Sequence, residues 1–362
     1  MNSYSTGILF GLNHMVRIRM MRMMAILPLL LFATWNTGYQ YLVARSLTDT
    51  TDTENWRGRI IENFFPAGQE LTIVGALIAG LVHVIPVVTM SLVIAGIWVR
   101  IFASARNSIL DPGFMYFAIL FALFMHPAVS LFHVAFGMSF AMVFAWGIFG
   151  GEGRSFLNHA LVGVAVVQIS FPVALTDHSI WTEISGYSGT NSLLVIHENG
   201  FGALSWSGVD WWQAFFGGMQ GLLGTTSVAA AILGGVILIY ARIASLRLIA
   251  AHIVGLVLAA MIVGVNTADG FSIPWHWHLV LGSFVFGVVF LATDPSSSCV
   301  TNPGRWIQGL IAGFLVVLLR EINPSHPDSV VPVLLLVSML SPLIDHAVIW
   351  LNIRRRRMIH GR

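Results

Sequence analysis

Pro274-Trp275-His276-Trp277-His278-Leu279-Val280-Leu281-Gly282-Ser283-Phe284-Val285-Phe286-Gly287-Val288-Val289-Phe290-Leu291-Ala292-Thr293-Asp294 decides the fold. Between His278 and Asp294 no side chain ionises. A run of roughly 20 mostly apolar residues is what a helix needs to cross a bilayer. Tryptophan and histidine at one end suit the aromatic belt at a membrane interface. Two histidines at i, i+2 do not share a helical face, so a zinc pair is not read from them. Asp294 marks the opposite mouth of the span.

The whole chain shares this character. It has 362 residues, of which 56% are hydrophobic and 9% charged, and its mean hydropathy is +0.81. A soluble domain carries about 25% charge. The chain therefore reads as an all-α polytopic membrane protein and not as a nucleic-acid binder. Ten apolar runs are expected to span, near 23–44, 71–102, 113–127, 128–149, 157–175, 222–241, 247–265, 274–293, 305–320 and 328–351. The second is long enough to tilt, with Pro86 as a kink point, and the third is short enough to be half-inserted. One cysteine, Cys299, excludes an internal disulfide framework. No cleavable signal peptide is read after Arg17, Arg19 and Arg22.

The arginines orient these spans. Alternating the loops places 14 of 18 arginines on one face and Arg45, Arg57, Arg59 and Arg320 on the other. The positive-inside rule then puts both termini in the cytoplasm. The organisation follows: a short cytoplasmic N-terminus at 1–22, a first membrane repeat at 23–175, an exterior loop at 176–221, a second repeat at 222–351 and a basic tail at 352–362. Two features suggest repetition. Pro112 and Pro127 bracket an apolar run at the same spacing as Pro327 and Pro342. Arg17-Ile18-x-x-x-Arg22 resembles Arg242-Ile243-x-x-x-Arg247. Five spans per unit would make two inverted five-helix repeats, with ligands or ions near the midplane between them. Chance similarity among apolar helices is the competing reading.

Four stretches carry candidate chemistry besides the first. Phe149-Gly150-Gly151-Glu152-Gly153-Arg154-Ser155-Phe156-Leu157-Asn158 offers glycine backbone, the Arg154 charge and a helix start to a phosphate or an electron-rich ring. On spacing alone, a tight turn between spans explains it better. Asp345-His346, inside the last span, is an expensive ionisable pair. It suits either a hard cation such as Na⁺ or a structural pairing between helices. Ala95-Gly96 suits close helix packing or a slot for a flat ring, with packing the simpler reading. The polar loop Ser185-Gly186-Tyr187-Ser188-Gly189-Thr190-Asn191-Ser192 lies on the exterior side between the halves. His83, His126, His133 and His252 read as hydrogen-bonded helix contacts.

From about Arg17 to Arg357 the chain resembles the NqrB component of the Na⁺-translocating NADH:quinone oxidoreductases, and more distantly the RnfD component of the Rnf complexes (the NqrB/RnfD family). The run 274–294 carries the resemblance most strongly, followed by Thr301-Asn302-Pro303-Gly304-Arg305-Trp306. Phe149–Asn158, Arg320–Asp328 and Ser341-Pro342-Leu343-Ile344-Asp345-His346 add to it. The resemblance implies a ten-helix inverted-repeat protein in the bacterial inner membrane, working beside other subunits and active only within their complex. Electrons would pass from NADH through flavins to a quinone, coupled to Na⁺ export. It further implies FMN esterified to a threonine of the exterior loop, a riboflavin, and part of a quinone site. By matching position, Asn158, with Arg154 nearby, falls to riboflavin; Ala95 and Gly96 fall to the quinone; Asp345 and Asp294 fall to Na⁺.

The flavin loop departs from that pattern. The family reads Asp-Gly-x-Ser-Gly-Ala-Thr with FMN on the last residue. Here Ser188 and Gly189 match, Thr190 replaces the alanine and Asn191 replaces the threonine. An asparagine amide forms no phosphoester, so Thr190 or Ser192 would have to accept flavin one position out of register, or covalent FMN is lost. Trp146-Gly147, Val164 and Thr225 depart similarly where the family carries charged groups. The alternative expectation is a divergent paralogue without covalent FMN, acting as an ion or solute transporter or as a structural membrane partner.

Overall fold

The computed structural model describes residues 3–48, 55–64, 71–151, 153–172, 192–206, 208–266, 273–322 and 328–360. Among them every regular element is helical. α1 spans Ser3–Thr48, α2 Trp56–Phe64, α3 Ile73–Ala105, α4 Phe114–Leu123 and α5 Leu131–Phe140. α5 continues as a π-helical turn over Ala141–Gly147. α6 spans His159–Ser170, α7 Ser192–Asn199, α8 Ala203–Trp206, α9 Trp211–Phe216, α10 Val228–Tyr240 and α11 Leu246–Asn266. α12 spans Trp275–Val280 and α13 Phe284–Phe286, followed by a second π-helical turn over Gly287–Ala292. α14 (Asn302–Ile322) and α15 (Val330–His360) complete the chain.

Among the described residues, three helices are both long and apolar enough to cross a membrane: Ile73–Ala105, Leu246–Gly264 and Val330–Met358. α3 shows why. Leu77, Leu81, Ile85, Val93, Ile97 and Ile101 form an exposed apolar ridge. Ala76, Gly80, Val84, Val87, Ser91, Ala95 and Val99 line the opposite, buried face. An apolar outer face with small residues inside is the arrangement that bilayer packing favours.

The other expected spans differ for two reasons. α1 and α14 are long, but polar side chains interrupt them: Asn36 and Thr37 are buried in α1, and Gln308 and Arg320 in α14. Four more runs are helices of 10–17 residues, and the run 274–293 is divided among helices of six and three residues and a six-residue π-helical turn; at 1.5 Å per residue each is too short for a hydrocarbon core of about 30 Å. They are pieces of broken helices. Irregular backbone at membrane depth is tolerated only where protein covers it and satisfies its polar groups. The break after α4 meets that condition: Gly224 N donates to Leu123 O at 2.7 Å and Leu223 N to Met125 O at 3.0 Å. Leu123, Phe124, Met125 and Leu223 are all buried.

Several helix pairs come to backbone contact at glycines, two of them through a pair of glycines each. Gly38 of α1 and Gly80 of α3 face one another's helix so closely that a Cβ on either would strike main-chain atoms. Gly309 and Gly313 of α14 lie likewise against α11, where an added Cβ at Gly309 would come within 2.8 Å of Leu248 O.

Candidate functional site

Of the sequence-predicted site residues that the structure describes, all but Ser192 gather at one end of the bundle. Asn158 caps α6: its side-chain oxygen accepts from Ala160 N at 3.0 Å and Leu161 N at 3.4 Å. Its amide nitrogen donates to Leu291 O at 3.3 Å. A single buried side chain thus ties α6 to the second π-helical turn, 133 residues away. The loop before it turns on Gly150 and Gly151, at φ +102° and +108°, a region open mainly to glycine. Arg154 is exposed and its side chain lies beside Gly150.

Asp294 follows that π-helical turn. Its carboxylate faces Arg22 of α1 at 3.5 Å and accepts from Ser296 Oγ at 2.6 Å. The Arg22 guanidinium also lies over the Tyr116 ring, 5.2 Å from its centroid. Both charges are buried, so the pair offsets its own desolvation and supports stability chiefly by being intact. Arg19 pairs with Asp111 one turn further out. Ala95 is fully buried on α3. The Phe114 ring of α4 sits over Gly96, where a Cβ would lie 3.7 Å from the ring edge. Ala95-Gly96, Arg22–Asp294 and Asn158 therefore form a continuous series of contacts across α3, α4, α1, the second π-helical turn and α6.

Asp345 joins this end from α15. Its carboxylate accepts from Val300 N at 2.6 Å and Thr301 N at 3.1 Å, and from the Thr301 hydroxyl. These amides lead into α14, whose unsatisfied N–H groups carry partial positive charge. An Asp345 oxygen would stand 2.6 Å from a Cβ at Gly304, which accounts for that glycine. Pro303 sits in the first turn, where a missing N–H costs nothing. Gln308 receives Cys299 N at 2.7 Å, and Arg305 Nε donates to Cys299 O at 2.9 Å. The motifs 292–306 and 341–346 are thus two sides of one polar cluster.

Cys299 lies inside that cluster, with no exposed surface. Burial pushes its thiol up to about 11. At a given pH near neutrality this leaves on the order of 100-fold less thiolate than an ordinary cysteine has. Hydrophilic maleimide is expected to leave Cys299 unmodified in the native protein and to label it fully after denaturation, as mass spectrometry of the intact chain would read.

The remaining motifs meet at the other end. Arg320, in the last turn of α14, donates to His278 O at 2.9 Å and Leu281 O at 3.0 Å and pairs with Asp328 at 3.3 Å. Asp328 in turn accepts from Ser283 N at 2.9 Å. The chain breaks between α12 and α13 because Gly282 takes φ +70°, and Arg320 and Asp328 satisfy the backbone that the break frees. Two more arginines that run against the charge rule are also engaged: Arg45 pairs with Glu62 and Arg57 donates to Val129 O at 3.2 Å. Arg45, Arg57 and Arg320 thus serve structural contacts, which charge counting does not foresee. His83 and His252 each place Nδ1 near the carbonyl four residues back, Ala79 O at 2.9 Å and Leu248 O at 2.8 Å. They are helix contacts, as expected.

Ser188, Gly189, Thr190 and Asn191 lie outside the described residues. Ser192, the exception, opens α7 at the Arg320 end, buried, with its hydroxyl 3.8 Å from Met219 Sδ. The fit to a phosphoester-linked FMN is poor: Asn191 offers no hydroxyl, and that of Ser192 is buried. Asn158 fits a riboflavin contact only through the second hydrogen of its amide nitrogen, because both its oxygen and its first hydrogen are engaged. Sequence reasoning missed Arg22 as the partner of Asp294 and Tyr116 as the ring beneath that arginine. The signal available was an arginine standing directly before the first apolar run.

Comparison with known proteins adds independent information. A model of the NQR2, RnfD, RnfE family matches residues 10–354. The B subunit of a Na(+)-translocating NADH-quinone reductase from Ectopseudomonas mendocina (strain ymp) is 37% identical over 335 residues, covering 91% of this chain and 83% of that one. The protein of that name from Stutzerimonas stutzeri (strain A1501) is 36% identical over 334 residues, with the same coverage. The one from Pseudomonas aeruginosa (strain UCBPP-PA14) is 35% identical over 342 residues, covering 92% of this chain and 84% of the relative. With both its family pattern and its near full-length likeness in agreement, the chain belongs to the NQR2, RnfD, RnfE family.

Proposed function

We propose that this chain is the NqrB-type membrane component of an NADH:quinone electron-transfer complex that couples quinone reduction to Na⁺ translocation. The observation that carries this reading is identity of 35–37% with NADH-quinone reductase B subunits over more than four fifths of each chain. The proposal extends to ten transmembrane helices in two inverted repeats, with both termini in the cytoplasm of a bacterial inner membrane.

In this reading Ala95 and Gly96 border the quinone, Asn158 and Arg154 border riboflavin, and Asp294 and Asp345 serve Na⁺. Bound flavin would supply one-electron and two-electron transfer. This chain's residues would hold the surrounding helices in register: Asn158 by its bond to Leu291 O, and Arg22 by holding Asp294 beside Tyr116. A hard cation takes oxygen ligands, and both carboxylates provide them at one end of the bundle.

Covalent FMN is the feature on which this chain departs from the family pattern. Coexpression with a periplasmic flavin transferase, followed by denaturing electrophoresis, is expected to give no fluorescent band at this chain, because Asn191 holds the attachment position. A fluorescent band abolished by Thr190→Ala would place the ester one residue early and reverse that expectation. Without the ester, the complex would keep noncovalent flavin as its carrier in this chain, detectable by extraction from native protein.

A further inference from the structure

Between α6, the second π-helical turn, α11, α14 and α15 lies a small enclosed cavity lined by His252, Ser297, Gln308, Ser338, Leu161 and Leu291 among others. It has room for about one water molecule. Its polar lining is buried throughout: His252, Ser297, Gln308 and Ser338 are each less than 5% exposed. His252 Nε2 has no hydrogen-bond partner in the protein. We infer that this cavity is a binding site for a single structural water, which joins His252 of α11 to Gln308 of α14 and Ser338 of α15.

The donor and acceptor inventory selects the ligand. His252 Nδ1 lies 2.8 Å from Leu248 O, so Nδ1 carries the ring hydrogen and Nε2 is a bare acceptor. The Ser338 hydroxyl donates to Leu335 O at 2.8 Å, so toward the cavity its oxygen accepts. Gln308 Nε2 spends one hydrogen on Ser297 O at 3.4 Å and keeps the second. The site thus offers two acceptors and one donor. A water that donates to His252 and Ser338 and accepts from Gln308 makes three bonds, the usual number for a buried water. Na⁺ fits worse: no carboxylate lines the cavity, and the spare Gln308 N–H repels a cation. An anion is opposed by the two acceptors. An empty cavity would leave the imidazole acceptor desolvated and unpaired, at a cost that buried polar groups rarely bear.

The position gives this water a role. α11 and α14 are locked together at Gly309 and Gly313, next to His252. Leu291, on the cavity wall, is the residue whose carbonyl receives Asn158. Ser297 belongs to the loop that Asp294 organises. The water therefore completes the polar contact between the Asn158 and Asp294 elements and the α11–α14 pair.

The test is a cryo-electron microscopy map at about 2 Å, fine enough to show bound waters, of the protein purified from its native membrane in Na⁺ and again in Rb⁺. The expected result is one peak at hydrogen-bond distance from His252 Nε2 and Ser338 Oγ, of equal height in both salts. A cavity without density, where other buried waters are resolved, would overturn the inference. So would a peak that strengthens in Rb⁺, which would assign a cation. His252→Leu is expected to lose the peak, and an unchanged peak in that variant would count against the assignment. Should His252→Leu fail to assemble, the unmodified protein in the two salts decides.

Discussion

Arg320→Leu is expected to remove most of the folded protein from the membrane. The guanidinium satisfies His278 O and Leu281 O, where the chain breaks between α12 and α13, and it neutralises Asp328. Leucine leaves a carboxylate and two carbonyls without that partner at a buried position. Breaking such a pair from one side costs about 3–5 kcal/mol. Arg320→Lys should recover part of the loss. An ammonium restores the charge, but it lacks the planar fork that reaches two carbonyls and a carboxylate together. Detergent-solubilised protein, followed by size-exclusion chromatography and a thermal melt, reads the order: wild type above lysine above leucine. Equal melts for all three would show that the clamp contributes nothing.

The second large effect is expected at Asp345. Its carboxylate organises Val300 and Thr301 at the entrance to α14. Hydrogen bonds to a charged group are worth about 1.5–3 kcal/mol when buried. The partial exposure of Asp345 reduces this, so Asp345→Ala is expected to cost roughly 2 kcal/mol. Asp345→Asn keeps an acceptor oxygen and should assemble better than the alanine variant. The Na⁺ assignment makes a separate demand. In assembled Asp345→Asn protein, the Na⁺ concentration for half-maximal quinone reduction should rise several-fold. An unchanged Na⁺ requirement would end the ion role and leave the cap.

Apolar length makes the helices legible. The ten runs read from sequence each fall on a helix or on the pieces of a broken one, because a bilayer demands continuous apolar surface. The breaks are not legible. Leu281 and Gly282 are as apolar as the helix around them, and only the backbone shows that Gly282 turns the chain. Hydropathy reports which surface lipid accepts; it does not report where the backbone hydrogen bonds go. The same limit explains Arg320. In sequence it is an exception to a charge rule, whereas in the fold it completes the backbone of a neighbouring helix. Trp275 and His278 read alike in sequence, as interfacial belt residues. Trp275 is about half exposed, while His278 is fully buried and offers its carbonyl to Arg320.

The candidate site is legible in its members but not in their connections. Asn158, Asp294, Asp345 and Ala95-Gly96 stand out in the sequence and take their expected ligands from the family resemblance, and the structure brings them to one end. Arg22, Tyr116, Gln308 and His252 join them only through three-dimensional contact, since the partners lie tens to hundreds of residues apart. The loop at 185–192 remains the point of departure from the family pattern, through Asn191 in place of threonine.

The proposed function is decided most directly by NADH-driven quinone reduction in inverted membrane vesicles, measured with and without Na⁺. The cells would carry the accompanying subunits, with this chain either present or deleted. Na⁺-stimulated quinone reduction is expected to disappear with the deletion and to return with a plasmid copy of the chain. Activity that is unchanged by deletion, or that is not restored while the chain is present in the membrane, would contradict the assignment.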